Sequence, residues 1–104
     1  MKQTHMSAAL LVEATQALDL DALCQACHAQ QSQLLVLVEE GVLGEQDPSP
    51  AQWRFDGHAL ARARRALRLQ RELELDAGAV ALVLDLLDRI EELQTQLRLR
   101  VPAR

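Results

Sequence analysis

The stretch LDALCQACHAQQSQLLVLVEEG, Leu20 to Gly41, decides the fold. Leu20, Leu23, Cys24 and Cys27 recur at helical spacing, and Asp21 is placed to cap that helix. A second apolar series follows at Leu34, Leu37 and Val38, and Glu40-Gly41 closes it, because glycine readily takes the left-handed conformation found at helix ends. Two short helices joined near His28 and Ala29 make a helix-turn-helix unit. His28 stands where such turns commonly carry glycine, and Gln30 is a weaker cap than Ser or Thr, so a loose turn is expected.

Outward from this unit, Asp47-Pro48-Ser49-Pro50 reads as a loop. Gln52-Trp53-Arg54-Phe55 alternates polar and aromatic residues, as a wing strand with one buried face would. Asp56 caps a long helix with Leu60, Ala63, Leu67 and Leu73 inward and Arg62, Arg65 and Arg68 along another side. A break is expected at Asp76-Ala77-Gly78. The last helix carries Ala79, Val83, Leu86, Ile90, Leu93 and Leu97 at steps of four and three, a heptad seam. Its first half, widened by Leu82 and Leu87, is expected to pack on its own domain. Leu86, Ile90, Leu93 and Leu97 are the candidate seam for a second copy. Residues 1–19 form an N-terminal extension with a short strand or helix, and residues 20–101 form the domain.

Composition narrows the function. The 104 residues suffice for one domain but not for a deep substrate cavity. Trp53 and Phe55 are the only aromatics, so Leu, Val and Ala must build the core. No run approaches the roughly 18 apolar residues of a membrane span, and the start lacks a signal-peptide layout, so a cytoplasmic location is expected. Charge is divided. From Gln3 to Trp53 there is no Lys or Arg, while Glu13, Asp19, Asp21, Glu39, Glu40, Glu45 and Asp47 are all acidic; every arginine lies from Arg54 onward.

Cys24-Gln25-Ala26-Cys27-His28 has the spacing of haem attachment, which belongs to exported proteins, whereas both cysteines here fall on the apolar face of a helix. Reduced thiols in the core are the reading that follows. No second Cys/His pair completes a zinc site, and His5 and His58 stand apart. Neither a nucleophile–base arrangement nor a phosphate-cradling glycine loop is visible, so neither enzymatic activity nor a cofactor is expected. Asp85, Asp88 and Glu92 form an acidic stripe on the last helix, either a solvated face or a docking surface for a basic partner, with Glu39 and Glu40 second candidates. Arg62, Arg65 and Arg68 are the candidate nucleic-acid contacts. The helix that a helix-turn-helix would insert into a DNA groove, Gln30 to Glu40, offers no cation and ends in two glutamates, which argues against direct DNA binding through it.

With these elements placed, the chain resembles the MerR-like helix-turn-helix group, and within it the CbpM family of chaperone modulators. The resemblance covers about Leu20 to Leu97. It rests on Leu20-Asp21-Ala22-Leu23-Cys24, Glu39-Glu40-Gly41-Val42-Leu43, Trp53-Arg54-Phe55-Asp56 and, most specifically, Ala66 to Asp76 followed by Gly78, Ala81-Leu82 and Leu84 to Ile90. It implies a mainly α fold: a winged helix-turn-helix with a small β wing and a long C-terminal helix. It also implies binding to the J-domain of a DnaJ-like co-chaperone of the CbpA type, with inhibition of its co-chaperone and DNA-binding activities. A DNA-binding MerR-like transcriptional regulator is the alternative, and a haem or thiol-redox protein a third class.

Overall fold

The computed structural model describes residues 17–100. Helix α1 (Leu20–Cys27) and helix α2 (Gln31–Glu39) form the helix-turn-helix; a 3₁₀ turn at Pro50–Gln52 leads to α3 (Gly57–Leu73) and then α4 (Ala77–Arg100). Among the described residues there is no strand. One core joins all four helices: Leu23 from α1, Leu34 and Leu37 from α2, Phe55, then Leu60 and Ala63 of α3 and Val80 and Leu84 of α4 are at or near zero exposure. Small residues are prominent in this core, where Ala59, Ala63 and Ala66 of α3 and Ala77 of α4 are buried, and α3 packs against all three other helices.

Several expectations are corrected by this architecture. Asp19, not Asp21, caps α1: its Oδ1 accepts from the Ala22 N–H at 2.8 Å, leaving Asp21 in the first turn, where a carboxylate still suits the helix dipole. Leu18 is tied to Phe55 by two backbone hydrogen bonds of 2.7 and 2.8 Å, so the end of the expected extension belongs to the domain. The remainder of the expected N-terminal strand or helix lies outside the described residues.

The turn is tight rather than loose. His28 adopts φ 52°, and the N–H groups of His28 and Ala29 donate to Gln25 O and Cys24 O, the crossed pair of a Schellman closure. Gly41 (φ 74°) and Val42 close α2 in the same way onto Val38 O and Leu37 O. Gln33 compensates for the weak cap at Gln30 by reaching back, its Oε1 accepting from the Gln30 N–H at 2.9 Å.

The β wing is absent. Trp53 is half-buried and Phe55 buried while Gln52 and Arg54 face solvent, so the alternation is real, but only Phe55 forms a bridge, to Leu18, while the Gln52 and Trp53 N–H groups donate locally to Ser49 O and Pro50 O. A strand needs a row of backbone donors and acceptors opposite it, and Leu18 alone supplies them here. The segment is instead held by side chains: Trp53 Nε1 donates to Asp47 O at 2.7 Å, Gln46 Oε1 accepts from the Arg54 N–H at 3.3 Å, and Trp53 meets Phe55 edge to face at 6.3 Å. The break between α3 and α4 falls at Glu74 (φ 53°) to Asp76, two residues earlier than expected. Asp76 caps α4 through the Ala79 N–H, which places Ala77 and Gly78 inside its first turn. Leu73, expected inward, is 58% exposed because α3 ends beyond the core.

Candidate functional site

The concavities of the described residues are open to solvent, and the candidate site is the surface. Among the described residues no cluster of three His, Cys, Asp or Glu is disposed to hold a metal ion, and no helix is long and apolar enough to cross a membrane. Cys24 and Cys27 form no disulfide and pack partly against the core from α1, while His28 is exposed in the left-handed position that ends the helix. Burial of Cys24, reinforced by the neighbouring Asp21 carboxylate, pushes its thiol above the ordinary cysteine range, which disfavours the thiolate that redox or ligation chemistry needs.

The acidic stripe of α4 and the arginine face of α3 meet one another. The Arg62 guanidinium, only 15% exposed, donates to Asp88 Oδ2 at 2.7 Å and to Asp85 Oδ1 at 3.2 Å, while its Nε donates to Val42 O at 2.5 Å. One side chain thus joins the end of the α1–α2 unit, α3 and α4. Arg65 lies 3.7 Å from Glu91, and Glu92 pairs with Arg89 one turn before it on α4 at 3.0 Å. Asp85 and Asp88 keep 73% and 52% of their side-chain surface in solvent despite the pairing, so their outer faces are open to a partner. Arg62 is enclosed by these contacts; of the three candidate nucleic-acid residues, only Arg68 is exposed and without an ion pair among the described residues.

Glu39 and Glu40 are exposed at the end of α2. Glu40 leans on the start of α4, its Oε1 lying 3.2 Å from where a side-chain carbon on Gly78 would sit, close to the positive end of that helix. The α2 helix itself exposes Gln31, Ser32, Gln33 and Val36 and has no cation. Along α4 the expected heptad register shifts by one face: Ala77, Val80 and Leu84 are buried, Ala79 and Val83 half-buried, and Leu86, Ile90, Leu93 and Leu97 remain 46–63% exposed, joined by Leu82 at 61%. From Asp88 to Arg100 every residue is exposed.

Sequence reasoning located the charged faces but not their pairing, since Arg62 reaches partners 23 and 26 residues away and no local signal marks that distance. Arg64, one of the row of arginines on α3, likewise has a partner that the sequence does not mark: its Nη2 donates to Ala26 O at 3.1 Å and satisfies a carbonyl at the end of α1.

This four-helix arrangement is that of a helix-turn-helix regulatory domain, and the family model described as "MerR HTH family regulatory protein" matches residues 18–100. The chain is also similar to the chaperone modulatory protein CbpM of Coxiella burnetii (strain Dugway 5J108-111), 36% identical over 89 residues covering 86% of this chain and 84% of the relative. The CbpM of Pseudomonas putida (strain W619) is 36% identical over 91 residues, 88% of this chain and 86% of the relative, and that of Pseudomonas entomophila (strain L48) 34% over the same shares. The chain belongs to the CbpM family within the MerR-type helix-turn-helix proteins.

Proposed function

We propose that this protein is a cytoplasmic, non-enzymatic chaperone modulator that binds the J-domain of a CbpA/DnaJ-like co-chaperone and inhibits its co-chaperone and DNA-binding activities. The observation that carries the reading is the surface of α2: the helix a DNA-binding relative would lay in the groove has no cation and ends in the exposed pair Glu39 and Glu40. Such a surface repels phosphate and suits a basic protein face. The open sides of Asp85 and Asp88, with Glu92, extend the acidic surface along α4. Covering the basic face by which a J-domain engages its Hsp70 partner would make inhibition a competition for one site. The exposed row Leu86, Ile90, Leu93 and Leu97 pairs two copies of the chain.

Titration calorimetry against the isolated J-domain at physiological salt, with duplex DNA titrated in parallel, tests the reading. Saturable binding to the J-domain without binding to DNA is the expected outcome. Binding to DNA alone would overturn it in favour of a DNA-binding MerR-like regulator.

A further inference from the structure

Four arginines of α3 converge on a second surface, away from Arg62. Arg64, Arg65, Arg68 and Arg71 line one groove beside Leu67, walled by Cys27 at the end of α1. Past Leu67 and Arg71 the concavity continues to the α1–α2 turn, where Ala29 and the 45% exposed Val36 line it. The two parts share Cys27, Leu67 and Arg71, so they form one continuous trough, with Leu67 and Val36 as apolar surface, a cationic rim along α3, and His28, Gln33 and Gln70 as neutral polar lining toward the turn.

The state of the four guanidinium groups differs from that of Arg62. Arg64 is anchored on Ala26 O and Arg65 stands at 3.7 Å from Glu91, but Arg68 and Arg71 make no hydrogen bond or ion pair among the described residues. Two unneutralised cations, three residues apart beside apolar surface, are arranged for carboxylates carried on something that also has apolar side chains. A phosphate backbone offers nothing to Leu67 and Val36. The cationic track is also short: from Arg64 to Arg71 it spans about 10 Å of helix, and the α1–α2 half beside it carries no Lys or Arg to prolong it for a nucleic acid.

We infer that this trough is an interaction surface for an acidic amphipathic segment of a partner protein, its carboxylates on Arg68 and Arg71 and its apolar side chains over Leu67 and Val36. The surface is opposite in sign to the Glu39–Glu40 face and does not depend on what docks there. Fluorescence anisotropy with the full chain tests it, using a labelled synthetic helix with glutamates on one face and leucines on the other, the same helix with lysines for glutamates, and duplex DNA. The glutamate helix binds saturably and more weakly as salt is raised, and the lysine helix does not bind. Arg68→Glu with Arg71→Glu weakens the glutamate helix by about tenfold or more and admits the lysine helix, whereas Arg98→Glu with Arg100→Glu, far along α4, leaves binding unchanged. Leu67→Gln weakens binding without changing its salt dependence. Circular dichroism checks that each variant is folded, and Arg68→Gln with Arg71→Gln replaces the reversal if it fails to fold. Absence of binding, equal losses from the Arg98 and Arg100 reversal, or DNA bound as tightly through the same two arginines would each overturn the assignment.

Discussion

Arg62 is the residue on which three parts of the molecule depend. Isolated surface ion pairs contribute about 0–1 kcal/mol, but this guanidinium is mostly buried and also satisfies a backbone carbonyl, and hydrogen bonds to charged groups reach about 1.5–3 kcal/mol. Arg62→Met, which keeps the aliphatic stem, should therefore cost about 1.5–2 kcal/mol in urea unfolding. Arg68→Met, losing no internal partner, should stay within about 0.5 kcal/mol. Equal midpoints for the two variants would show that the three-way contact contributes nothing. The same geometry governs how the acidic face should be probed. Charge reversal at Asp85 and Asp88 would repel Arg62 as well as any partner, so Asp85→Asn with Asp88→Asn is the cleaner test of docking.

At the scale of elements, the turn joining α1 and α2 holds its shape at a local cost. His28 carries φ 52°, where a residue with a side chain loses about 1–2 kcal/mol relative to the right-handed region and glycine loses almost nothing. Part of the gain from His28→Gly is returned through the greater freedom of glycine in the unfolded chain. The expected net stabilisation is about 0.5–1 kcal/mol, read as a raised melting temperature; a lowered one would mean that the imidazole contributes contacts worth more than the strain. The elements also divide into those legible in the sequence and those not. Leu23, Leu34, Leu37, Leu60 and Ala63, all taken inward from helical spacing, are buried, because each of those helices has one apolar face. The α4 helix misleads because its first three turns are apolar nearly all round, Ala77, Ala79 to Leu84, Leu86 and Leu87, so periodicity alone could not choose Ala77, Val80 and Leu84 over Ala79, Val83 and Leu86. The choice is made by tertiary packing, which brings Ala77, Val80 and Leu84 into the shared core. The wing failed for a different reason: alternation reports which side of a segment is buried and not whether a second strand lies beside it.

At the scale of the whole molecule, the last half of α4 buries no residue against the described part of the chain. Its contacts with the core end at Leu87, and the 13 residues from Asp88 to Arg100 project about 20 Å further, all of them exposed. An isolated helix of that length is marginal in water. It also presents Leu82, Leu86, Ile90, Leu93 and Leu97 in steps of four, four, three and four, a row that no surface within the described residues covers. Pairing with a second copy would bury the row and support the projecting turns at once. Light scattering coupled to size exclusion should then report twice the chain mass of 11.6 kDa, and Ile90→Glu with Leu93→Glu should return the single mass. Because those turns would lose their cover, the variant should also lose helical circular dichroism signal while its core, which ends at Leu84, keeps a cooperative melt. A wild-type protein already at the single mass would remove the seam and leave the row to another partner. A dimer that survives the double substitution would place the contact between copies elsewhere on the surface.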